Sequence, residues 1–206
     1  MVSLKYGEHE LAHLRRRDRN LGRIIDRIGM LERRIEPDLF PALVNSIVAQ
    51  QISGKAADTV RERVKKRFGT IEPQRLARAA VEDIRSCGMS IRKAEYIHGI
   101  AESCANGALD LNLVKEMPDQ EAIARLSALR GVGAWTAEML LIFSLGRPDV
   151  VSWNDLGIRR GMTVLYGLKE LSRADFDRYR QRYSPYGSIA SLYLWEIARD
   201  RSSEGP

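Results

Sequence analysis

Leu129-Arg130-Gly131-Val132-Gly133-Ala134-Trp135-Thr136-Ala137 lies between two apolar helical segments and reads as a glycine-bounded turn that opens a new helix. Gly131 and Gly133 permit positive φ and close approach of another backbone. Amides at the start of the second helix then point outward, where N–H groups and the positive end of the helix dipole suit a phosphate. Apolar Val132 anchors the turn between the helices, and Thr136 follows in the first turn of the second one. The stretch is a helix-hairpin-helix on this reading. Glycine also closes ordinary helices, so taken alone the turn is equally a plain helix corner.

Outward from this turn the helical period governs the chain, and no segment sustains the two-residue alternation of a half-buried strand. The expected class is all-α. Leu11 to Met30 places Leu14, Leu21, Ile24, Ile25 and Ile28 among arginines, which makes one or two basic amphipathic helices. Pro41 suits a first turn, and the stripe Leu43, Val44, Ile47 and Val48 runs into a polar corner at Gln50-Gln51. Ser53 caps the next helix, which stops at Gly69. Further helices start at Pro73, Val81 and Ser90, the first two short. Ala105 to Pro118 is the one loop of note, before a helix from about Asp119 to Leu129. Ser172 with Asp175 resembles a capping box for a helix over about Arg173 to Tyr183. Pro185 breaks it, a last helix runs from about Gly187 to Arg199, and residues 200–206 form a frayed tail.

The 206 residues carry 33 Lys+Arg against 27 Asp+Glu, and the net charge of +6 leans toward a polyanionic partner. With 44% hydrophobic and 29% charged residues the composition is globular, which excludes wholesale disorder, collagen and coiled coil. Two cysteines, Cys87 and Cys104, cannot make a disulfide framework or a four-cysteine iron–sulfur cluster, and they fit a reducing cytoplasm. His9, His13 and His98 form no metal-ligand grouping with them. No apolar run approaches the roughly 18 residues of a membrane span, and Met1-Val2-Ser3-Leu4-Lys5 is no signal peptide. The expected location is cytoplasmic, with no membrane partner. The clusters Arg15-Arg16-Arg17 and Lys65-Lys66-Arg67 read as solvated helix faces and are left out of the site.

Three further segments keep company with the glycine turn. Ser46-Ile47-Val48-Ala49-Gln50-Gln51-Ile52-Ser53 lies upstream, Val150-Val151-Ser152-Trp153-Asn154-Asp155-Leu156-Gly157-Ile158-Arg159-Arg160-Gly161 follows it, and Tyr183-Ser184-Pro185-Tyr186-Gly187-Ser188-Ile189-Ala190-Ser191-Leu192-Tyr193-Leu194-Trp195 lies near the end. In this order and spacing they resemble the helix-hairpin-helix DNA glycosylase superfamily, and within it the 3-methyladenine DNA glycosylase II group. The resemblance covers roughly residues 38 to 199 and rests on four separated motifs agreeing.

The resemblance implies a bilobed all-α fold, with a middle lobe over about 40–145, its hairpin at about 119–145, and a second lobe from 1–39 plus 146–199. It implies that Asp155 is catalytic; on its own, Asp155 is equally an N-cap for the helix that follows. A fixed carboxylate stabilises the oxocarbenium-like sugar left when the base departs, and the helix N-terminus with Arg159 and Arg160 would keep it ionised. Strand-cutting members carry a lysine where Trp135 stands, so the resemblance implies a monofunctional enzyme that releases the base by hydrolysis. Trp135, Trp195, Trp153, Gln50 and Met139 are the implied base pocket, its aromatic faces attracting cationic alkylated purines. Met139 stands where some relatives have a tyrosine.

Gln51 with Ile52 matches the wedge that fills the gap left by a flipped nucleotide. Gly131, Val132, Gly133 and Thr136 match the phosphate-binding hairpin. Backbone carbonyls of Ser127, Leu129 and Val132 match a site for Na+ or K+. No cofactor is otherwise required, and the partner is double-stranded DNA with damaged bases, bound by a monomer. Two other readings stay open on the residues: a non-enzymatic helix-hairpin-helix DNA-binding protein, and a bifunctional oxidised-base glycosylase/lyase, which Trp135 disfavours.

Overall fold

Short polar side chains set the starts of most helices. In the computed structural model, which describes residues 2–203, these are α1 (Glu8–Arg17), α2 (Arg19–Ile28), α3 (Leu39–Ala49), α4 (Gly54–Phe68), α5 (Pro73–Arg78), α6 (Val81–Arg85), α7 (Ile91–Ala105), α8 (Leu111–Glu116), α9 (Asp119–Ser127), α10 (Ala134–Phe143), α11 (Leu156–Leu165), α12 (Arg173–Tyr183) and α13 (Gly187–Ser203). Asp18 splits the basic N-terminal segment into two helices, its Oδ1 accepting the Leu21 amide of α2 at 3.0 Å. Ser53, Ser90 and Ser172 cap α4, α7 and α12 by accepting amides three residues on.

Three features depart from the sequence reading. The expected loop from Ala105 to Pro118 contains α8, capped by Asp110 and anchored by fully buried Val114; six residues are too few to display a period. A two-residue antiparallel ladder joins β1 (Val2–Ser3) to β2 (Arg34–Ile35), too short to alternate. The last helix continues to Ser203, past the expected stop at Arg199, and residues 204–206 of the expected frayed tail lie outside the described residues.

The chain divides into two compact units, Glu36–Leu140 and Met1–Ile35 with Leu141–Pro206. Each has its own apolar interior. Leu43, Ile47, Val64, Leu76, Ile97, Val114 and Leu126 are buried in the first, and Leu14, Leu21, Ile25, Ile158, Met162, Phe176 and Tyr193 in the second. The second unit also buries a polar cluster. Asp18 Oδ2 accepts the Tyr166 hydroxyl at 2.8 Å and the Arg182 guanidinium at 3.2 Å, and the Tyr166 and Tyr183 hydroxyls meet at 2.7 Å. Burial and the neighbouring Asp18 push both phenols above their ordinary range. Of the 33 basic and 27 acidic residues, 14 and 14 lie in Glu36–Leu140, so the whole excess of +6 belongs to the discontinuous unit.

Candidate active site

In the discontinuous unit the backbone leading to Asp155 is fastened to the start of α13. Ser188 Oγ accepts the Val150 amide at 2.9 Å and donates to the Arg147 carbonyl at 2.6 Å, and Ser191 Oγ donates to the Val150 carbonyl at 3.2 Å. Both serines are fully buried. Asp149 accepts the Gly187 amide at 3.0 Å and the Ser184 hydroxyl at 2.6 Å. Gly187 is required here, because a Cβ would stand 2.6 Å from Val151 and 2.7 Å from Asp149. The small residues of Gly187-Ser188-Ile189-Ala190-Ser191 thus let an extended segment lie against a helix, a role their sequence does not advertise.

That segment delivers Asp155 to the first turn of α11 as its N-cap. Its Oδ1 accepts the Ile158 amide at 2.8 Å and the Trp195 indole N–H at 3.0 Å, and the residue is 7% exposed. A carboxylate at this position also meets the positive end of the α11 dipole. Two glycines one turn apart on α11 make the arrangement possible. A Cβ on Gly157 would lie 2.8 Å from the Trp195 ring and 3.1 Å from Asp155 Oδ1, and one on Gly161 would overlap the Leu194 carbonyl. Phe143, which the sequence reading missed, stacks on Trp195 with centroids 5.6 Å apart and planes at 29°.

Trp153, expected in the base pocket, is surrounded by other side chains of the same unit. The Arg159 and Arg173 guanidinium groups lie over its ring at 5.2 and 5.3 Å, and Phe176 meets it edge-on at 5.1 Å. A ring already attracting two cations is a poor host for a third, and Trp153 packs against the apolar interior. Arg159 thus faces the Trp153 ring, while Arg160 is exposed to solvent.

In Glu36–Leu140 the hairpin joins α9 to α10. Val132 is 4% exposed and its amide donates to the Leu129 carbonyl at 3.0 Å, so the turn is pinned by its apolar tip. Gly131 has φ +85°, and a Cβ there would overlap the Tyr96 ring; the close approach is to a side chain, not to another backbone. Gly133, expected to share the positive φ, does not. It is exposed with open space where its Cβ would be, and the first bond of α10 runs from the Ala137 amide to the Gly133 carbonyl. The amides of Ala134, Trp135 and Thr136 stand ahead of that bond, at the positive end of the α10 dipole. Thr136 is 6% exposed. Trp135 is 46% exposed, which removes interior packing as its role, and Met139 is half-buried.

The polar corner after α3 belongs to the same unit. Gln51 adopts φ +58°, the one non-glycine residue with positive φ among those described, at a cost of about 1 kcal/mol or more. Gln51 and Ile52 are both exposed. Gln50 of the expected base pocket bonds the hairpin, Nε2 donating to the Gly131 carbonyl at 2.8 Å. Lys93 of α7, unremarked in the sequence, donates to the carbonyls of Val48 at 2.9 Å and Gln50 at 2.6 Å, and burial pulls its ammonium below the ordinary lysine range. Among the described residues no three His, Cys, Asp or Glu side chains gather as a metal site.

The chain belongs to the HhH-GPD superfamily of base excision DNA repair proteins, whose family model matches residues 44–184. Among its relatives, the chain is similar to DNA-3-methyladenine glycosylase 1 of Schizosaccharomyces pombe, with 32% identity over 200 residues, 91% of this chain and 86% of that protein. It is similar in structure to the DNA-3-methyladenine glycosidase of Bacillus halodurans, with TM-score 0.86 and 36% identity over 99% of this chain and 95% of that one. The Schizosaccharomyces pombe 3-methyladenine DNA glycosylase Mag1, solved in complex with abasic DNA, matches with TM-score 0.79 and 28% identity over 93% of this chain and 97% of that one.

Proposed function

We propose that this protein is a monofunctional DNA glycosylase that flips alkylated purines of the 3-methyladenine type out of duplex DNA and hydrolyses their N-glycosidic bond. The observation that carries the reading is Asp155, a buried carboxylate fixed by two donors on one oxygen at a helix N-terminus. The names of its relatives support the substrate class. As the bond from C1′ to the base nitrogen breaks, its electron pair leaves with the base and positive charge spreads over the sugar, which the Asp155 carboxylate stabilises. Water adds to C1′ and loses a proton to the carboxylate or solvent, leaving an abasic site. A cationic base departs without a general acid, and Trp195, beside Asp155, would offer it an aromatic face.

Gln51 and Ile52 fill the vacated stack on this reading, and the α10 amides with Gly131 and Gly133 hold a phosphate. Na+ or K+ on the carbonyls of Ser127, Leu129 and Val132 belongs to the same proposal. The Leu129 carbonyl already accepts one amide, so an ion would use its second lone pair. When bound, it would add positive charge beside the phosphate. We place the protein as a monomer in the cytoplasm with access to DNA. Two unpaired cysteines support a reducing compartment, and no helix among the described residues is long and apolar enough to cross a membrane.

Incubation with duplex DNA treated with a methylating agent tests the reading. Released 3-methyladenine, with strands cut only after alkali, is the expected result. Strand cleavage by the enzyme itself, or a covalent complex trapped by borohydride, would return a lyase mechanism.

A further inference from the structure

α7 contributes two residues, one turn apart, to the elements that the proposed function assigns to DNA. Lys93 binds the carbonyls of Val48, near the end of α3, and of Gln50, its C-cap, and Tyr96 packs its ring on Gly131 of the hairpin, with the Arg130 guanidinium 5.8 Å from the ring centre. Gln50 closes the triangle by bonding the hairpin carbonyl. These contacts all lie within Glu36–Leu140. The carbonyls that Lys93 holds are ones the helix cannot satisfy, because the chain leaves helical geometry at Gln50 and turns left-handed at Gln51. An ammonium at a helix C-terminus satisfies them and complements the dipole. A left-handed glutamine persists only where its surroundings over-determine it.

We propose that Lys93 is a positioning residue that fixes the wedge corner to the hairpin, so that Gln51 and Ile52 are presented to DNA already ordered. This rests on the reading of Gln51 as the wedge. Without the ammonium the corner relaxes, and ordering it must be done at the moment of insertion, which weakens binding only where there is a gap to fill.

The test uses a duplex with a tetrahydrofuran abasic site opposite 2-aminopurine, compared with the undamaged duplex, binding being read by anisotropy and wedge insertion by 2-aminopurine fluorescence. Lys93→Met is expected to bind the abasic duplex about tenfold more weakly, to bind the undamaged duplex within about twofold of wild type, and to lose the fluorescence change. Lys93→Arg, which keeps a donor, is expected to recover most of both. Equal weakening on the two duplexes, or no change on either, overturns the proposal. Gln51→Ala separates the two ideas. If it loses the preference for the abasic duplex and Lys93→Met keeps it, Lys93 is not the strut and the wedge stands. If neither variant changes the preference, the wedge reading fails and takes this proposal with it. Melting temperatures accompany each variant, and Lys93→Gln is read in place of Lys93→Met should the latter melt below the assay temperature.

Discussion

The indole N–H of Trp195 donates to Oδ1 of Asp155 at 3.0 Å, the same oxygen that accepts the Ile158 amide. An aromatic ring and the proposed catalytic carboxylate are therefore positioned together. Phe143 supports the ring by stacking, and Gly157 leaves the room for it. Trp195 has two separable contributions, a face for a cationic base and a hydrogen bond for the carboxylate.

Trp195→Phe keeps a face and removes the donor. A hydrogen bond to a charged group is worth about 1.5 to 3 kcal/mol, so excision is expected to fall by about tenfold or more, with little change in the ratio of cationic to neutral lesions removed. Trp195→Ala removes the face as well, and the ratio should drop by up to about thirtyfold. Single-turnover rates on 3-methyladenine and hypoxanthine read both effects. Wild-type rates for Trp195→Phe would show that the bond does not position Asp155.

The glycines of α11 give a contrast between activity and stability. Gly157→Ala puts a methyl 2.8 Å from the Trp195 ring, which can move aside, and alanine recovers up to about 1 kcal/mol of helix propensity. Excision should fall about tenfold or more while thermal unfolding shifts little. Gly161→Ala meets the Leu194 backbone, which cannot move aside, and should destabilise the fold by about 3 kcal/mol or more. Full activity in Gly157→Ala would contradict the close fit of Trp195 to Asp155.

The turn is legible because its signal is local: a glycine and an apolar residue between helical stripes end one helix and open the next, although the same pattern also serves a plain helix corner. Serine caps at 53, 90 and 172 were legible for the same reason. Asp155 enters the candidate site through motif order, and its capping role, which the structure shows, is legible from its place before an apolar stripe. The contacts that give the site its form were not legible. Trp195 lies 40 residues from Asp155, Lys93 lies 43 from Gln50, and Gln50 lies 81 from Gly131. No local pattern encodes such pairs. Aromatic character alone does not say what covers the Trp153 ring, and here two arginines do.

Cys104 gives a pH-dependent outcome. Burial, with Asp110 adding to it, pushes its thiol from the ordinary 9.0 up to about 11. Only on the order of 0.1% is thiolate at pH 8, so alkylation by iodoacetamide should be slow and rise about tenfold per pH unit toward 11. The unfolded chain loses this proton near 9 and the folded chain near 11, so the group's contribution to stability is full below 9 and declines as pH rises toward 11. Alkylation at pH 8 as fast as that of a free thiol would contradict the burial.

The most direct measurement is single-turnover release of 3-methyladenine from methylated duplex DNA by Asp155→Asn. Asparagine caps a helix about as well as aspartate and still accepts the Trp195 and Ile158 donors, so melting temperature and affinity for an abasic duplex should remain close to wild type. The negative charge is gone, and the rate should fall by a factor on the order of 10² to 10³. Release within threefold of wild type at unchanged stability would show that Asp155 is a cap and not the catalytic carboxylate.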